Sequence, residues 1–136
     1  MVTVRPVTNN RPLIAFVDDE ESIRKAVVRL LRSAGLDAET FHSGAEFLKS
    51  IDAHPPDCVV LDLQMPQMHG LAVQQQLAKV HAAIPVIILT AHDTPEDREQ
   101  AMNGGASAYL RKPVNDSDLL DAISAAVTCA KRVAPR

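Results

Sequence analysis

Tryptophan is missing from this chain, and tyrosine occurs once, at position 109. Three phenylalanines complete an aromatic content of 3%. That is too few rings for the stacking platforms that grip single-stranded nucleic acid. Cysteine is scarce as well. Cys58 and Cys129 are far apart and lack the short spacing of a redox or metal motif. They read as two reduced thiols of a reducing cytosol. Positive charge is not in excess: 14 Lys and Arg face 17 Asp and Glu, for a net charge of −3. This is a poor match for an electrostatic nucleic-acid binder. No apolar run approaches the ~20 residues of a membrane span, and Met1 to Arg11 lacks the apolar centre of a secretory signal. What is present is a globular composition, 136 residues with 46% hydrophobic. The length fits one domain. A chain this long buries roughly two-thirds of the surface its unfolded form exposes, so it needs no cross-links to fold.

Two hydrophobic periods alternate along the chain. Leu13 to Val17 is a continuous apolar run, as a strand buried on both faces would be. Ile23, Ala26, Val27, Leu30, Leu31 and Ala34 follow at helical spacing, with Gly35 where a helix C-terminal glycine belongs. A short strand over 36–41 leads to Ser43-Gly44-Ala45-Glu46, the spacing of a capping box. The pattern then predicts a strand over 58–61 closing on Asp62, a loop over 66–70, and a helix over 71–80 with Leu71, Leu77 and Val80 inward. A strand over 85–89 ends on Thr90, a weakly apolar helix spans 95–103, and Ala108 to Leu110 forms a brief strand. A last helix carries Leu119, Leu120, Ile123, Ala126 and Val127 on one side. Apolar strands alternating with amphipathic helices predict an α/β fold, a doubly wound five-stranded parallel sheet with five helices. Residues 12–130 form the expected domain, with tails at 1–11 and 131–136, the latter a tail or the start of a linker.

In such folds ligands bind beyond the carboxyl ends of the strands. Strand one ends in Asp18-Asp19-Glu20, strand three in Asp62 and strand four in Thr90, and Arg111-Lys112-Pro113 follows strand five. If strands one and three are neighbours, three carboxylates share one cleft. Like charges that close raise a pKa or recruit a cation, and Mg²⁺ suits a few carboxylates plus retained waters. A hydroxyl and an amine beside them suit a carboxylate nucleophile that accepts a phosphoryl group. One Asp at a strand end is most often a turn or cap residue. The whole set at the ends of the right strands is not explained that way.

These residues make the chain similar to the receiver domain of two-component response regulators. The match runs from about Leu13 to Val127. It rests on Val17-Asp18-Asp19-Glu20, Leu61-Asp62-Leu63-Gln64-Met65-Pro66 with Gly70 after it, Thr90-Ala91 and Lys112-Pro113. The wording of 61–70 and 104–112 most resembles FixJ-type receivers. The resemblance implies a flavodoxin-like strand order 2-1-3-4-5 and Asp62 as phosphoacceptor from a sensor histidine kinase. It implies Asp18 and Asp19 as the acid pair for Mg²⁺, joined by Asp62 and the Gln64 backbone carbonyl. Thr90 and Lys112 would bind the phosphoryl oxygens, and Tyr109 would change rotamer with Thr90. The Lys112-Pro113 peptide would be cis. Gln64 and His92 would flank the phosphoryl group and tune its lifetime.

A switch follows physically. A phosphoryl group adds about two negative charges and three acceptor oxygens, drawing Thr90 toward it and opening space beside Ala91 for Tyr109. The fourth helix, with its low apolar content, is the element expected to move. The expected output face is then the fourth helix, fifth strand and fifth helix, controlling an output domain or partner, by expectation a transcriptional one. Self-phosphorylation and self-dephosphorylation would be the only chemistry, so the chain is not expected to be an enzyme. The remaining histidines, His42, His54, His69 and His81, show no metal spacing and read as exposed loop or helix-end residues.

Three rivals share parts of this pattern. A flavin-binding relative of the fold would find its phosphate repelled by Asp18-Asp19-Glu20. A Mg²⁺-dependent phosphatase with an Asp nucleophile resembles others in having a second Asp two positions on, where this chain has Gln64. A degenerate receiver that only binds partners would not need the full acid, Thr and Lys set. No helix-turn-helix pattern follows residue 130, so a stand-alone regulator and the receiver portion of a longer protein are both open. The setting expected is cytoplasmic, without membrane or direct nucleic-acid contact, and with homodimerisation on phosphorylation open.

Overall fold

The structure, a computed structural model, describes residues 11–65, 68–81 and 83–133. Of the two expected tails, residues 1–10 and 134–136 lie outside the described residues, as does Pro66 of the loop after Asp62. The elements are β1 (Leu13–Val17), α1 (Glu21–Ser33), β2 (Asp37–Phe41), α2 (Gly44–Ser50), β3 (Cys58–Asp62), α3 (Gly70–Val80), β4 (Val86–Thr90), α4 (Pro95–Asn103), β5 (Ala108–Arg111) and α5 (Asp116–Val133). Helix α5 thus carries three residues of the expected C-terminal tail.

All five strands are parallel, in the order β2-β1-β3-β4-β5. This is the doubly wound arrangement the alternating periods require. Every residue of β3 and β4 is buried, because helices cover both faces of the sheet. Successive side chains of a strand point to opposite faces, and the core splits accordingly. Val17, Val59, Leu61 and Ile88 pack with Phe47 of α2, Val73 and Leu77 of α3 and Ala101 of α4. Ile14, Phe16, Val60, Ile87 and Leu89 pack with Leu31 of α1 and Leu119, Ile123 and Val127 of α5. Cys58 is buried in the second layer, which pushes its thiol up to about 12, while Cys129 is exposed. Among the described residues no helix is long and apolar enough to cross a membrane.

Local signals account for the element ends. Gly35 after α1 has φ +84°, a left-handed conformation that favours glycine. Ser43 Oγ accepts the Glu46 N–H at 3.1 Å, opening α2. Glu46 reaches back to the amide of His42 at 2.9 Å, one position before the cap. Three inward assignments differ, Val80 on α3 and Ala26 and Ala34 on the α1 face. Val80 is 68% exposed: the buried stripe of α3 runs through Leu71, Val73, Gln74 and Leu77 and ends before the last residue. On α1 only Leu31 is fully buried. Ile23, Val27 and Leu30 are partly covered, and Ala26 and Ala34 face outward.

Candidate functional site

Parallel strands place all their carboxyl ends on one edge of the sheet, and the register aligns them there. Val17 pairs with Leu61, Asp62 with Leu89, and Thr90 with Arg111. The residue after β1 is Asp18, β3 ends in Asp62, β4 ends in Thr90, and Lys112 follows β5. Residues tens of positions apart in the sequence are thus brought to one cleft.

Asp18, Asp19 and Asp62 each offer a carboxylate oxygen, and these lie within 4.8 Å of one another. Asp18 and Asp62 are buried, whereas Asp19 is exposed. Lys112 Nζ donates to Asp18 Oδ2 at 3.0 Å and stands 3.5 Å from Asp62 Oδ1. Asp18 is fixed further: its Oδ1 accepts the Glu20 N–H at 2.9 Å, and its carbonyl accepts from the Arg24 guanidinium at 2.7 Å. Burial, and then the charge of Asp18, push the Asp62 carboxyl up from 3.8 to about 6. Lys112 and the Gln64 amide act the other way without winning. Burial alone would lower the Lys112 ammonium, but the hydrogen bond to Asp18 and the charge of Asp62 hold it above its ordinary value.

This donor set fits a hard divalent cation. Three carboxylates share one cleft, and a single lysine, paired with Asp18 and Asp62, leaves two formal negative charges uncompensated there. Oxygen-only ligands of that number suit Mg²⁺, which keeps several waters.

Thr90 is fully buried. Its hydroxyl lies 2.9 Å from Gln64 Oε1 and 2.9 Å from the His92 carbonyl, and accepts the His92 N–H at 3.0 Å. One hydroxyl proton serves one of those two acceptors. Gln64 therefore bridges the site, its N–H on Asp62 Oδ1 at 3.3 Å and its side chain on Thr90. Tyr109 is buried in the α3–α4 layer beneath Arg98. The Lys112–Pro113 peptide bond is cis.

Three further residues shape the site. Gly70 starts α3 against the backbone of the strand-end aspartate: a Cβ there would stand 2.7 Å from the Asp62 carbonyl oxygen and 2.9 Å from Leu63 Cα. Its place in the motif was visible in the sequence, but this reason for it was not. Arg24 sits one helical turn beyond Glu20, a spacing that carries no signal by itself. Gln74 is buried and donates to the Ala101 carbonyl at 2.9 Å, tying α3 to α4. On a helix a glutamine ordinarily reads as exposed.

Comparisons with known proteins converge. Residues 14–124 match the family model described as the response regulator receiver domain. The transcriptional regulatory protein TdiR of Thauera aromatica is 37% identical over 129 residues, covering 95% of this chain and 57% of TdiR. The chain spans about half the length of this relative. A response regulator receiver domain protein from Clostridium thermocellum superimposes with a TM-score of 0.85 at 33% identity, covering 90% of this chain and 98% of that one. FixJ-N superimposes with a TM-score of 0.80 at 29% identity, covering 88% and 95%.

Proposed function

The chain belongs to the response regulator receiver domain family, the signalling module of two-component systems, and on that premise we propose that it accepts a phosphoryl group on Asp62 from a phosphohistidine of a sensor kinase. The observation that carries this reading is the convergence of Asp18, Asp19 and Lys112 on the Asp62 carboxylate.

A carboxylate oxygen of Asp62 attacks phosphorus in line, the P–N bond to the kinase imidazole breaks, and the departing nitrogen is left to take a proton. The product is an acyl phosphate. Attack requires the ionised carboxylate, which at about 6 is the main form at neutral pH. Asp18, Asp19, Asp62 and the Gln64 carbonyl would hold Mg²⁺, which when bound supplies charge neutralisation for the transferred oxygens. Lys112, already 3.5 Å from Asp62 Oδ1, pairs with a second oxygen. Thr90 exchanges its bond to His92 or Gln64 for a third. These contacts exist only in the phosphorylated state, so they shift the equilibrium between two arrangements. Water attack on phosphorus then returns Asp62 and inorganic phosphate, at a rate that Gln64 and His92 set from either side.

The α4–β5–α5 face carries the output. TdiR is named as a transcriptional regulatory protein, and we infer a transcriptional output for the whole protein. We assign residues 12–130 to the receiver unit and 1–11 and 131–136 to flanking tail or linker, with a cytoplasmic setting.

The test is exposure to a small acyl phosphate or phosphoramidate with Mg²⁺. Intact mass should show one added phosphoryl group per chain, stable in acid and labile in base, and Asp62→Asn should show none. Uptake by Asp62→Asn would falsify the assignment.

A further inference from the structure

Tyr109 is gripped from outside the core as well as from within it. Arg98, on α4, lays its guanidinium carbon 4.7 Å from the ring centroid. The same guanidinium donates to Asp93 Oδ2 at 2.9 Å, and Arg111 Nε stands 4.0 Å from that oxygen. Asp93 lies in the loop between β4 and α4, three residues after Thr90. Asp93 Oδ1 and the Tyr109 hydroxyl are both buried, and neither has a well-formed hydrogen bond among the described residues. They are nonetheless close enough that each shifts the titration of the other. A phenol proton and a carboxylate oxygen so placed complete each other after a small rotation. Helix α4 has one buried residue, Ala101, so bridges of this kind weigh heavily in holding it.

We infer that Asp93 and Arg98 form a clamp that holds Tyr109, and with it α4, in the resting arrangement of the switch. The coupling runs through the backbone. The Thr90 hydroxyl accepts the N–H of His92 and stands 2.9 Å from its carbonyl, one of the two acceptors open to the hydroxyl proton, and Asp93 is the next residue. Drawing Thr90 toward a phosphoryl group breaks those bonds and frees the segment that carries Asp93. Arg98 then loses its anchor and the ring loses its cover. Asp93 and Arg98 are positioning residues: they touch neither Asp62 nor the transferred group, and act through Tyr109.

This inference rests on the reading of Asp62 as the phosphoacceptor. The test titrates beryllofluoride, a phosphoryl mimic, in Mg²⁺ by isothermal calorimetry, and follows the emission of Tyr109, the one tyrosine of a tryptophan-free chain. Arg98→Ala and Asp93→Asn should each tighten binding by roughly threefold, the loss of one cation–π contact expressed as affinity. Arg98→Lys, which keeps a cation, should fall between them and the wild type. The resting emission of Arg98→Ala should move toward the beryllofluoride-bound value of the wild type. In a Tyr109→Leu background, Arg98→Ala should have no further effect. Unchanged or weaker binding by Arg98→Ala overturns the clamp. So does an effect that persists without Tyr109, which marks a structural role for α4 alone. Failure of the wild type to bind beryllofluoride overturns the phosphoacceptor reading instead.

Discussion

Asp62 shows what the site does to a single residue. Its carboxyl ionises at about 6 in the folded chain against 3.8 ordinarily, so folding favours the protonated form. Below the ordinary value both folded and unfolded chains are protonated and stability is unaffected. Between 3.8 and about 6 the folded chain binds more protons, and stability falls as the pH rises. Above about 6 the whole penalty applies. In Mg²⁺-free buffer Asp62→Asn should therefore melt higher than the wild type at neutral pH, by on the order of 1–2 kcal/mol after solvent screening. The gap should close as the buffer is taken toward pH 4. A gap that does not vary with pH would mean that some other consequence of the substitution is being measured. At this scale the sequence was most readable where a residue type is the chemistry, as for Asp18, Asp62, Thr90 and Lys112. Gln64 was singled out in the sequence for its backbone carbonyl and its place beside Asp62, but not for its side-chain contact with the Thr90 hydroxyl, because an amide in a loop carries no mark of its partner.

The elements were legible by the contrast between continuous apolar strands and helical spacing. Strands β3 and β4 are apolar up to their polar final residues because both faces are covered. The misreading on α3 fell at Val80, an apolar residue at the edge of a helical stripe, and the buried Gln74 went unmarked because a polar residue inside the stripe does not add to an apolar pattern. Helix α3 also carries a firm prediction. Its first residue, Gly70, meets rigid backbone at Asp62 and Leu63. Gly70→Ala should lower stability by about 1–3 kcal/mol, the usual range for overpacking. It should also slow phosphoryl uptake, since the strain falls on the segment bearing Asp62, the proposed acceptor. Thermal melts and uptake rates measured together check both parts. A variant that melts with the wild type would show that this junction yields.

At the scale of the whole molecule, the cleft is a negative pocket that three segments build and one lysine partly neutralises. A cation that binds this folded pocket, and not the open chain, must stabilise the fold by mass action. Millimolar Mg²⁺ should raise the melting temperature, with about 1.4 kcal/mol for each tenfold excess over its dissociation constant. Chelation should reverse the rise, and Asp18→Asn should remove most of it. Equal shifts in wild type and Asp18→Asn would place the cation elsewhere.

The sequence by itself determined the fold class, the order of the elements and the identity of the groups at the strand ends. Each of these is written locally, in a period, a cap or a short motif. The tertiary structure alone decided the distances. Lys112 reaches Asp18 across 94 positions of chain, and Arg98 reaches the Tyr109 ring from another element. Strand order and helix packing create such contacts, and no single segment encodes them. The ionisation of Asp62 follows from the same cause. Its burial and its distance from another charge are properties of the assembled sheet edge.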